Sequence, residues 1–202
     1  MKKLTIVMAL IAVILTAGAC GEKAKTFEKK DSTGLIGYNT TDVFTTDIEE
    51  QWEDGTRVIL KGQPSDSEEK VEIVVMVSSD SIYEHTASGN ADTILTYKYA
   101  ENPVKESVQL FGMDGYRACY TDGSDSDYRT LDFYVFTYLP DGAAYGDMGK
   151  RINIKCTYYD DAGKACVEEM LQNNIGFDLE AYTWEMEEEK EQEQEQKEDS
   201  QS

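Results

Sequence analysis

Val71-Glu72-Ile73-Val74-Val75-Met76-Val77 is the stretch that decides the fold. In an extended chain, Val71, Ile73, Val75 and Val77 line one face, and Val74 and Met76 make the other face largely apolar. A strand apolar on both faces is buried on both, which predicts a sheet covered on either side. Upstream, Glu53-Asp54-Gly55 signals a turn before the strand-like Arg57-Val58-Ile59-Leu60, and residues 63–70, with Pro64 and serines, read as a loop. Leu35, Ile36 and Tyr38 suggest a first short strand after Gly34, and Asp42-Val43-Phe44-Thr45 follows a polar turn.

Downstream, residues 78–100 stay open between helix and strand. Ser79 or Asp80 would cap a short helix through Tyr83 and Glu84. Asp92 would cap another carrying Ile94, Leu95 and Tyr99, although the Tyr and Thr content also suits a strand. Asn102-Pro103 is expected to end this segment. A meander should follow: strands at 107–111 and 116–121 about Gly112-Met113-Asp114-Gly115, a turn at 122–127, and a strand over 130–139. In that last strand Leu131, Phe133, Val135 and Leu139 share one face, and Tyr134, Phe136 and Tyr138 the other. Residues 151–159 place Ile152, Ile154, Cys156 and Tyr158 together. Asp160-Asp161 then opens a helix whose apolar stripe is Ala162, Ala165, Cys166, Val167, Met170 and Leu171, stopped by Asn173, Asn174 and Gly176. Ile175 and Phe177 should pack back on the core, and 178–184 is expected to add an edge strand.

The N-terminus, MKKLTIVMALIAVILTAGAC, supplies an address. Lys2 and Lys3 precede an apolar run over 4–15, then small residues, then Cys20. The run is short for a membrane span and reads as an export signal. It resembles the bacterial lipoprotein signal, in which the thiol takes a diacylglyceryl group and signal peptidase II cuts just before it. Ala17 stands where that family usually has Leu. The resemblance implies a signal peptide over 1–19, lipidation of Cys20, and an extracytoplasmic protein held to membrane lipid. Each buried methylene contributes about 0.8 kcal/mol, so two acyl chains hold firmly. Residues 20–33 would form a short tether with Lys23, Lys25, Lys29 and Lys30, each adding about 1 kcal/mol close to an anionic leaflet.

Composition narrows the rest. The chain has 202 residues, 40% apolar, with formal charge -21. The signal, tether and tail leave one domain, 34–184. Residues 185–202 hold nine acids and two lysines and are expected to be a disordered acidic tail. So acidic a chain argues against nucleic acid as a partner. After Cys20 come Cys119, Cys156 and Cys166, an odd number that describes no disulfide scaffold. A Cys156–Cys166 bridge and three buried free thiols both stay open.

Chemical signatures are sparse. His85 is the single histidine, which excludes a multi-histidine metal centre, and no GxSxG, GxGxxG or GxxxxGK[ST] occurs. Asp122-Gly123-Ser124-Asp125-Ser126-Asp127 has alternate carboxylates suited to calcium, but its glycine is misplaced for an EF-hand and position twelve is Phe133. A polar hairpin tip is the plainer reading. The many tyrosines are core residues or, where exposed, stacking surfaces. Acids are everywhere, so no pair stands out for glycoside hydrolysis.

The order of GLIGYNTTDVF, the meander strands TLDFYVFTYL and RINIKCTYY, the helix DDAGKACVEEML and a closing IGF resembles the PsbP-like fold. That family includes an extrinsic protein of photosystem II and many small bacterial surface lipoproteins. The resemblance implies an α+β domain, an antiparallel sheet between helices in an α/β/α sandwich. The expected function is a non-enzymatic binding or accessory module of the cell envelope, with no cofactor, whose partner is another envelope or secreted protein. An envelope glycan hydrolase using paired carboxylates and a small-ligand or cation receptor are the alternatives.

Overall fold

The computed structural model describes residues 26–124 and 128–178. The signal peptide, Cys20, the whole acidic tail over 185–202 and the expected edge strand after Asp178 lie outside the described residues. Among the described residues ten strands are β1 (Lys29–Lys30), β2 (Ile36–Tyr38), β3 (Phe44–Trp52), β4 (Gly55–Gly62), β5 (Val71–Ser81), β6 (Ala100–Leu110), β7 (Met113–Asp122), β8 (Thr130–Tyr138), β9 (Met148–Tyr158) and β10 (Ile175–Phe177). Two helices are α1 (Thr86–Leu95) and α2 (Asp161–Glu169), the latter running into a π-helical turn, Met170–Asn174. Seven strands form one antiparallel sheet in the order β3-β4-β5-β9-β8-β7-β6, and β1-β2-β10 form a small second sheet. The fold class is α+β, mainly antiparallel sheet.

One face of the main sheet is covered over its central strands and left exposed only towards its edges, as at Val104. Register brings Val58 and Leu60 of β4, Ile73 and Val75 of β5, Ile154 and Cys156 of β9, and Tyr134 and Phe136 of β8 onto it. These pack with Val167, Met170 and Leu171 from α2 and its π turn, and with Ile36, Tyr38 and Ile175 from the small sheet. Burying a side chain of this size contributes about 1.5–3 kcal/mol, so this layer dominates the fold's stability. Asp160 caps α2, its Oδ1 accepting Gly163 N–H at 2.7 Å. Gly163 replaces Ala165 in the buried stripe: a Cβ there would lie 2.9 Å from Val71, while Ala165 is exposed.

The opposite face is covered only in part, which corrects the reading of β5 as buried on both sides. α1 packs on β6, β7 and β8 through the small buried Ala87 and Ala91. No described element spans β3, β4, β5 and β9 on that side, so Val74 and Met76 are only half-buried. The two caps expected for 78–100 are not used. β5 runs on to Ser81 because it pairs with β9 as far as Met148, and Asp80 pairs instead with Arg151 at 3.0 Å. The helix starts after His85, and Asp92 lies inside it, bound to Lys105 at 2.7 Å.

Asn102-Pro103 does not end a segment. It sits in a bulge of edge strand β6, with Asn102 at φ 51°, where a proline's missing N–H is tolerated. The other edge strand, β3, is also bulged, between Thr46 and Ile48. The β6–β7 turn is Phe111-Gly112, both at positive φ, three residues ahead of Gly115. Residues 27–33, placed in a tether by sequence, pack against the small sheet: the Phe27 ring covers Gly37 and Gly176, and Asp31 is buried, accepting Ile36 N–H and the Thr56 hydroxyl.

Candidate functional site

Two polar arrangements stand out, one sealed and one open. In the sealed one, neighbouring strands set Cys119, Asp132 and Cys156 side by side on the covered face. Asp132 is 2% exposed. Arg117 Nε and Nη2 donate to its two carboxylate oxygens at 2.7 and 2.8 Å, and Arg117 Nη1 donates to Glu106 at 2.7 Å. The Tyr134 and Tyr158 hydroxyls add longer contacts to Oδ2 at 3.4 and 3.3 Å. This is the planar fork that arginine makes with carboxylates.

The electrostatics of this cluster keep it chemically quiet. Bonding to Asp132 pushes the Arg117 guanidinium further up, so it stays charged. Burial, then the Asp132 charge, drives the Tyr134 and Tyr158 phenols well above their ordinary range. The same two causes raise the Cys119 and Cys156 thiols. Burial raises Cys166, with Glu169 adding to it. The reactive form of cysteine is the thiolate, and these sites disfavour it. All three thiols are free, so the structure holds no Cys156–Cys166 bridge.

The open arrangement is the uncovered half of the sheet. One rung carries Trp52, Gly55, Ser78 and Arg151; the next carries Glu50, Arg57, Met76 and Asn153; the next Ile48, Ile59, Val74, Lys155 and Phe133. Ile48 and Trp52 are each 37% exposed. The Trp52 indole lies over Gly55, where a Cβ would meet it at 2.6 Å. Arg57 donates to Glu50 through Nη2, and Arg151 to Asp80 through Nη1. Their Nε atoms and Ser78 Oγ are buried without a hydrogen-bond partner. Buried donors without acceptors are rare enough to need a reason.

The sequence candidates are scattered. His85 is exposed at the start of α1, away from any catalytic partner in the described hydrogen bonds, its carbonyl accepting Gly89 N–H. Asp122 is buried and turned inward. Its carboxylate accepts Ser124 N–H and Oγ–H and two bonds from Arg129, and these contacts, Ser124 first, hold it down at about 2. Asp125 and Asp127 lie outside the described residues, among which no cluster of three or more acids, cysteines or histidine is placed to hold a metal. The tyrosines divide: Tyr120, Tyr134 and Tyr158 are buried, whereas Tyr97 and Tyr99 form an exposed edge-on pair that continues through Tyr120 to Phe133.

Grooves flank the π turn. One of about 220 Å³ is lined by Asp42, Phe44, Cys166 and Glu169; another of about 230 Å³ by Glu106, Arg117, Tyr134, Glu168 and Gln172. Both fall below the roughly 300 Å³ at which small-molecule pockets begin. Among the described residues no helix is long and apolar enough to cross a membrane. No protein-family model, no curated protein and no solved structure matches the chain.

Proposed function

We propose that this chain is a lipid-anchored, extracytoplasmic binding or accessory module of a bacterial cell envelope, built on a PsbP-like domain and meeting another envelope or secreted protein through its open sheet face. The anchor rests on the signal over 1–19 and Cys20. The observation that carries the binding role is the half-sheet β3-β4-β5-β9, left uncovered by α1, with Ile48, Ile59, Val74 and Met76 partly exposed. Apolar side chains exposed together on adjacent rungs are what a protein partner buries.

Two measurements test this reading. Intact mass of the membrane fraction should show diacylglyceryl on Cys20, and Cys20→Ser should release the protein; an unlipidated membrane-free product removes the anchor. Capture of envelope proteins on the immobilised chain should be lost on Met76→Glu, which puts a charge at the centre of the patch. Equal capture by wild type and variant removes the face.

A second reading has one observation behind it: Glu106 and Glu168 share the groove beside Arg117. Glycan hydrolysis uses such a pair. Turnover of cell-wall glycan that disappears in Glu168→Gln would favour it over the binding role.

A further inference from the structure

We infer that the open sheet face holds a carboxylate-binding subsite, formed by Arg57, Ser78 and Arg151 beside Trp52, that docks an acidic side chain of a partner peptide. This rests on the open-face reading above and names the chemistry that face recognises.

Three donors there are buried and have no acceptor: Arg57 Nε, Arg151 Nε and Ser78 Oγ. Ser78 as a whole is 8% exposed. Register places them close together. Ser78 faces Arg151 directly across one strand pair, and Arg57 sits one rung along on the other side, opposite Met76. Adjacent strands lie about 4.8 Å apart and diagonal neighbours about 7–8 Å, well within an arginine's reach. One terminal nitrogen of each guanidinium is held by an acid, Arg57 Nη2 by Glu50 and Arg151 Nη1 by Asp80, while the Nε–H groups have no acceptor.

The charge balance selects the ligand. Arg57 and Arg151 are each already matched by one acid, so the subsite offers donors without a large surplus of positive charge. A phosphate dianion would be repelled by Glu50 and Asp80. A single carboxylate gains donors at a smaller repulsive cost. One rung further, Lys155 takes part in no ion pair among the described residues and adds one cation in reach. The remaining neighbours are the Trp52 ring, Met76, Ile59 and Val74, which suit the apolar side chains flanking an acidic residue in an extended peptide.

The arginine Nε–H groups give a direct readout. The full chain, labelled with ¹⁵N, is titrated with an N-acetylated peptide of alternating leucine and glutamate, with its leucine–glutamine counterpart, and with inorganic phosphate. The Arg57 and Arg151 Nε–H signals should shift saturably with the glutamate peptide alone. Arg57→Lys and Arg151→Lys keep the charge but lose the Nε–H, and each should weaken binding about tenfold, with Ser78→Ala weakening it less. Unmoved Nε–H signals, or equal shifts with the glutamine peptide, overturn the inference; a phosphate response equal to that of the glutamate peptide overturns the choice of carboxylate. If capture of envelope proteins still fails on Met76→Glu while the peptide is ignored, the face stands and the subsite falls. If the peptide binds and that capture is insensitive to Met76→Glu, the subsite stands without the proposed partner.

Discussion

Asp132→Asn is the most informative single change in the covered layer. It keeps the shape, removes the charge, and places an amide donor where Arg117 and two phenols donate. The magnitude follows from geometry. At an effective dielectric of about 20, opposite charges about 4 Å apart attract by about 4 kcal/mol. The Asp132 side chain is 3% exposed and that of Arg117 20%, so little of the loss returns through solvent. Breaking such buried pairs costs about 3–5 kcal/mol. Arg117 keeps Glu106 at 2.7 Å, which puts the expected loss at the low end, about 3 kcal/mol. Urea unfolding followed by circular dichroism should show a lower midpoint at an unchanged slope. A double-mutant cycle with Arg117→Gln isolates the pair, since the Asn change should then cost far less. A coupling below about 1 kcal/mol would refute the claim that this fork is a buried, tightly matched pair.

Gly89 lies within α1 with no atom within 4 Å of an added Cβ, so Gly89→Ala should raise stability by about 0.5–1 kcal/mol in the same assay. At Gly115 a Cβ would stand 2.4 Å from the Phe136 ring and 2.5 Å from the Val135 carbonyl oxygen, and Gly115→Ala should cost about 1–3 kcal/mol. Asp122, held at about 2 in the fold, stabilises above its unfolded value near 3.8, and that contribution is lost as pH falls towards 2. The stability gap between wild type and Asp122→Asn should therefore shrink from pH 4 to pH 2; a gap constant over that range contradicts the assignment. Cys156, fully buried with its thiol raised by burial, should resist iodoacetamide at neutral pH until the protein is unfolded, as read by peptide mass.

The sheet was legible wherever alternation was strict. The two faces of β8 and β9 fall as the residues suggest, because each strand has one face packed under α2 and the small sheet. Where pairing partners decide, local signals mislead. Ser79 and Asp80 have cap chemistry, yet β9 holds them in a strand. Gly115 resembles the end of a turn but is a strand residue under the Phe136 ring. α1 carries a weak stripe, since its buried residues are two alanines. The Arg117–Asp132 pair had one readable sign: Asp132 is in phase with Tyr134 and Phe136 on the buried side of its strand. The free donors at Arg57, Ser78 and Arg151 had none, because they come from three strands whose order the sequence does not state.

Both rims of the large sheet are broken, one at Asn102-Pro103 and the other between Thr46 and Ile48. A smooth rim is a template on which another chain can continue the ladder and so polymerise. Here each bulge cuts the row of outward amides and carbonyls short, leaving residues 104–110 on one rim and 48–52 on the other as the longest stretches in unbroken register. Shortened in this way, neither rim offers its full length for another copy of the molecule to extend.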